Sequence, residues 1–157
     1  MAIERKIVAQ SGLDANIFDT NGRRISTFKH WANRLCPAIK DTDRGQSFIC
    51  AVAHMNLATI AKNTGQGVIE ECDAGLLKLV VPIFFKDKFV GAVGMCGALM
   101  DEGEIDDFMI NKTTEIESET IEELAEDIPT ISRKKVEGLR DFIVAEIDKI
   151  GCQAVIS

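Results

Sequence analysis

Residues Leu76 to Leu99 constrain this chain more than any other stretch. Two apolar runs, Leu76 to Phe85 and Phe89 to Leu99, flank a short polar break at Lys86-Asp87-Lys88. Runs of this length with a polar turn between them read as a β-hairpin, and their apolarity places that hairpin in the middle of a sheet. Alternation in the second run sends Phe89, Gly91, Val93, Met95, Gly97 and Leu99 to one face. Val90, Ala92, Gly94, Cys96 and Ala98 go to the other, an unusually small face. Glycine weakens a strand, so Gly91, Gly94 and Gly97 at three-residue intervals imply either a close approach to the backbone or a local bulge.

The elements around this hairpin follow from the same periodicities. Asn21-Gly22 sits between two short runs within Asn16 to Ser26 and suits the left-handed positions of a tight turn, so an opening hairpin is expected there. From about Ser47 to Lys62, the residues Phe48, Ile49, Val52, Met55, Leu57 and Ile60 keep helical spacing, and Asn63-Thr64-Gly65 supplies the stop. Val68 to Glu71 is a short strand candidate. Asp101 to Asp127 holds 12 acidic residues and one lysine, with Ile116, Ile121, Leu124, Ala125 and Ile128 forming a helical stripe; the charge reads as a solvated face. Ser132 is placed to cap a last helix whose stripe is Val136, Leu139, Ile143, Ile147 and Ile150. That stripe packs either on the domain or on a second copy, which leaves a homodimer open. The fold class is α+β: an antiparallel sheet with flanking helices and a C-terminal helix.

A length of 157 residues with 46% hydrophobic content suits a single domain spanning residues 1–157, with its core at about residues 10–150. The longest apolar reach is broken by Lys78, Lys86, Asp87 and Lys88, so no membrane span is expected. Met1 to Gln10 lacks the apolar segment and cleavage site of a secretory signal, which points to a cytoplasmic location. Residues 1–80 carry ten Lys and Arg against eight Asp and Glu, and the remainder carries eight against seventeen. The acidic second half would repel phosphate backbones. With one tryptophan and no tyrosine there are few stacking platforms, so no nucleic-acid partner is expected.

Five cysteines in a reducing compartment do not suggest a disulfide framework. Cys36, Cys50, Cys72 and Cys96 fall in four elements and lack Cys-x-x-Cys spacing, so spacing alone predicts no metal. Cys50 and His54 are four residues apart on the long helix and leave the same face, which allows shared ligation. The alternative is that the cysteines are small buried hydrophobes and His54 a satisfied, half-buried ring. Catalytic signatures are missing: there is no nucleophile elbow, phosphate loop or dinucleotide fingerprint, and Cys50 with His54 is the only local nucleophile and base. The chain is read as a non-enzyme. Cys152 carries no assigned role.

Leu35-Cys36-Pro37, then Cys50, then Cys72-Asp73-Ala74-Gly75-Leu76, then Val81-Pro82-Ile83 and Phe89-Val90-Gly91 with Gly94 and Gly97 form an ordered set of landmarks. Over about residues 10 to 150 the chain resembles the PocR sensory-domain family. It departs at Asp73, where the family often has histidine. The resemblance implies a PAS-like variant fold, with a GAF-like element in the Pro-Ile and glycine hairpin. It also implies a pocket for small hydrocarbon derivatives such as short alcohols and diols, with the signal passed to a separate output protein. The ligand-binding residues expected from it and from the helix pair are Cys36, Cys50, His54, Cys72, Gly94 and Cys96. A second reading makes the protein a metal or redox sensor, with zinc, iron or an iron-sulfur centre on Cys36, Cys50 and Cys72, and His54, Asp73 or Cys96 completing the set.

Overall fold

The computed structural model describes residues 2–152. Four strands, Asp14–Phe18 (β1), Val68–Glu71 (β2), Leu77–Phe85 (β3) and Lys88–Cys96 (β4), form an antiparallel sheet in the order β1-β4-β3-β2. The two apolar strands occupy its middle, as their composition requires. Lys86 and Asp87 join them with φ of 50° and 63°, the left-handed pair of a two-residue hairpin turn.

Burial on both faces explains the apolarity of β3, where Leu77, Leu79, Val80 and Val81 are wholly buried. One face packs on the helices Ala2–Ser11 (α1) and Arg133–Lys149 (α7). There Ile7, Leu79, Met95, Ile143 and Ile147 share one core. Ser132 caps α7 by accepting a hydrogen bond from the Lys135 amide at 3.1 Å; Val136, Leu139, Ile143 and Ile147 of the expected stripe are buried in the core with the chain's own sheet, whereas Ile150 follows the helix and is exposed. Lys6 of α1 reaches Glu146 of α7 at 2.7 Å, which ties the two helices together, and Lys149 of α7 joins it at 2.9 Å; both hold the Glu146 carboxyl below its usual range.

The other face meets the helix Val52–Thr64 (α4), whose Leu57 and Ala61 pack on Val80 and Ala92. Gly65 ends α4 in the left-handed conformation, φ 67°, as expected for a glycine stop. A second cluster lies beyond the sheet end. It joins Leu35 and Ile39 of Leu35–Lys40 (α2) to Ile110 of Asp107–Thr114 (α5) and Ile121 of Ser118–Ala125 (α6).

Three sequence expectations change. The acidic stretch makes two short helices, because Glu115 takes the left-handed conformation (φ 63°) and the Asn111 side chain donates to the Ile116 carbonyl at 2.7 Å. The opening hairpin survives as a single bridge, Phe18 to Arg24. Arg24 turns to the Phe28 carbonyl and Ser26 donates to Glu4 at 2.7 Å, drawing the chain off the sheet edge. Finally, the β3–β4 register shifts between Ile83 and Phe84, leaving Val90 as the extra residue. Phe89 therefore pairs with Phe84, ring centroids 5.8 Å apart, and lies across the sheet from where strict alternation would put it.

Truncating Ile143 to alanine removes a fully buried side chain between α7 and the sheet and should cost about 2–5 kcal/mol in urea unfolding. The same change at Ile25, which is 62% exposed, should cost less than about 0.5 kcal/mol. Equal costs would contradict this packing.

Candidate functional site

The small face of β4 meets helical residues to leave a cavity of about 90 Å³. Three of its wall residues come from one row of the sheet: Asp14, Cys96 and Lys78 are in register across β1, β4 and β3, so their side chains share a face. Phe18 extends the wall from the far end of β1.

The opposite wall comes from a helical run that begins where Thr42 accepts a hydrogen bond from the Gly45 amide at 2.9 Å. A single turn, Asp43–Gly45 (α3), leads into a π-helical turn, Gln46–Ala51, and then into α4. π-turns occur frequently at functional sites. This one lines the cavity with Gln46, Cys50 and Ala51, and the first turn of α4 adds Ala53 and His54.

Cys36 is fixed by Asn33, which is 4% exposed. The Asn33 carboxamide oxygen accepts from the Cys36 amide at 2.8 Å, and its nitrogen donates to the Gly97 carbonyl at 2.9 Å and to the Cys36 sulfur at 3.4 Å. One turn on, Lys40 also reaches the cavity, its ammonium 5.6 Å from the Trp31 ring centre. Cys72 sits on a tight turn in which its amide donates to the Leu76 carbonyl and the Gly75 amide donates back to its own carbonyl. Gly75 has φ 87°, and a side chain there would strike the Glu104 carbonyl, so glycine is required for Cys72 to be presented.

The four cysteines from four elements thus share one cavity, and all are reduced thiols. Burial dominates their acidity. It raises Cys36, helped by neighbouring thiols; it raises Cys50 to about 11 despite Lys40, and it raises Cys72 and Cys96. At neutral pH they stay protonated, whereas nucleophiles and metal ligands act as thiolates. His54 is 3% exposed, and burial, with lesser effects of Lys78 and Lys40, lowers it to about 3. It is neutral and stacks on Phe18 with ring centres 3.4 Å apart.

Among the described residues no group of three or more His, Cys, Asp or Glu side chains is arranged to hold a metal ion. The expected set of Cys36, Cys50, Cys72 and His54 does line one cavity. Without a bound cation, burial favours the thiol form of its cysteines. No hydrogen bond joins Cys50 to His54 among the described residues.

Of the expected ligand-binding residues, Cys36, Cys50, His54, Cys72 and Cys96 line the cavity, and Gly94 does not. What lies over Gly94 is the Asn16 side chain, with the Phe18 ring beside it; a Cβ there would collide with the Asn16 oxygen. The close approach implied by that glycine is made by β1. Cys152 lies apart, against the core shared with α7. Sequence reasoning missed Asp14, Trp31, Lys40 and Lys78. The available signal was Lys78 itself, one cation inside the otherwise apolar Leu77–Phe85 run.

Because the folded His54 releases its proton down to about pH 3 and an unfolded histidine does so near 6.5, the unfolded chain binds more protons between these values. Stability should be full above pH 6.5 and fall as pH drops, by up to about 1.4 kcal/mol per pH unit. Urea unfolding of wild type and His54→Gln from pH 7 to 5 should show their stability difference narrowing or reversing as pH falls. A pH-independent difference would contradict a buried neutral ring.

Among the described residues no helix is long and apolar enough to cross a membrane. No curated protein and no solved structure matches the chain significantly. The family model described as the sensory domain found in PocR matches residues 2–152, which carry every landmark cysteine, both walls of the cavity and the C-terminal helix. The chain belongs to the PocR sensory-domain family.

Proposed function

We propose that the cysteine-lined cavity is the recognition site of this sensory domain, and that it binds a small organic molecule without turning it over. The ligand is a short alcohol or diol-like hydrocarbon derivative. One observation carries the reading: the cavity combines apolar walls with buried polar atoms that lack hydrogen-bond partners, namely Asp14 Oδ1 and both ring nitrogens of His54. An unsatisfied buried polar atom costs about 1–3 kcal/mol, and a hydroxylated ligand would relieve that cost. Size agrees, since an engineered apolar cavity of about 150 Å³ admits benzene and this one, at about 90 Å³, suits only a few heavy atoms.

Binding signals only if it favours one conformation. The π-helical turn is the element suited to respond, because it carries Gln46 and Cys50 in the wall and runs directly into α4. Its movement would be read by a separate output protein in a cytoplasmic setting.

A thermal-shift panel of C2–C4 alcohols and diols tests this. At 100-fold excess over Kd, ligation adds about 2.7 kcal/mol, a rise on the order of 5 °C for a chain of this size. Cys50→Leu, which fills the cavity, should abolish the rise while leaving the unliganded protein folded. A rise that survives Cys50→Leu would place the ligand elsewhere.

A further inference from the structure

The cavity holds a charge that the fold does not balance. Lys78 is 7% exposed and lies in the middle of a sheet, yet among the described residues its ammonium makes no hydrogen bond and no ion pair. Its one polar contact is with the Phe18 ring, 5.7 Å from ammonium to ring centre. Its nitrogen is not among the wholly buried polar atoms that lack a partner, so the ammonium opens on the cavity while its stem is buried, and a small anion entering there would meet it directly.

The surroundings sharpen the point. Lys40 also lines the cavity without an ion pair, and Asp14 is the one carboxylate in the lining. Asp14 is turned to other partners: its Oδ2 accepts from Asn16 at 3.3 Å and meets the Cys96 sulfur at 3.8 Å. Cys96 separates it from Lys78 across two strand spacings, roughly 10 Å. The lining thus carries two cations and one anion, with His54 neutral and the thiols protonated.

We infer that the ligand of this cavity is a short-chain carboxylate, with its carboxylate on Lys78 and its short carbon body against Phe18 and the thiols. This rests on the reading of the cavity as the recognition site of a small organic molecule, and it replaces the neutral alcohol head group proposed above by a carboxylate. Where the body bears a hydroxyl, Asp14 Oδ1 and His54 are the unsatisfied groups positioned to take it. The carboxylate would supply the missing counter-ion in a low-dielectric setting, where a charge-assisted hydrogen bond is roughly twice as strong as a neutral one.

Trp31 is the only tryptophan and lines the cavity, so its fluorescence reports occupancy directly. The test titrates acetate, propionate and glycolate against their matched neutral partners ethanol, 1-propanol and ethylene glycol, at constant ionic strength. The three carboxylates should bind at least tenfold tighter than their partners. Lys78→Met, which keeps the stem and removes the charge, should erase that advantage. Asp14→Asn should tighten carboxylate binding. Neutral molecules binding as well as carboxylates, with Lys78→Met unchanged, would overturn the carboxylate while leaving the cavity reading intact. No binding by any of the six to folded wild-type protein would overturn both.

Discussion

Burial of the β3–β4 hairpin on both faces is the constraint from which the rest of the structure follows. Leu79 and Met95 on one face and Val80 and Ala92 on the other are removed from water together. At roughly 25 cal/mol per Å² of apolar area, no other feature of the chain supplies a comparable driving force. One face requires α1 and α7, the other requires α4. Because the second face is built from alanine, glycine and cysteine along β4, the helical run cannot close fully against it where the sheet ends. The cavity is the space left there, bounded by Asp14, Cys96 and Lys78 below and by the π-helical turn above.

Much of this was legible in the residues. Apolar runs gave the central hairpin, the stepping of Val136, Leu139, Ile143 and Ile147 gave α7, and Gly65 marked the end of α4. The failures have local causes. The glycines of β4 allowed for a bulge, but they did not fix it at Val90, where one extra residue sends Phe89 to the other face. The break at Glu115 depends on a side-chain hydrogen bond from Asn111, which periodicity does not encode. The opening hairpin had the right turn residues but lost its second strand to tertiary contacts of Arg24 and Ser26.

The site was half legible for a related reason. Cysteines are rare enough to stand out, and the order of their landmarks resembled a family, so Cys36, Cys50 and Cys72 could be expected to converge, with Cys96 as one of several residues that could join them. Their chemistry could not be read the same way. Thiol acidity depends on desolvation, which only the fold sets, and burial raises all four thiols. The lysine in β3 passed as a mere interruption of an apolar run. Its importance comes from register, which lines it up with Cys96 and Asp14 and leaves it without an anion.

The central claim is that four thiols distant in sequence surround one small space that a ligand fills. Protein labelled with carbon-13 at the cysteine β-carbons gives one resonance for each of the five cysteines. Added propionate or ethylene glycol should move the signals of Cys36, Cys50, Cys72 and Cys96 along one shared saturation curve and leave Cys152 still. A response confined to one of the four, or one that includes Cys152, would contradict the account.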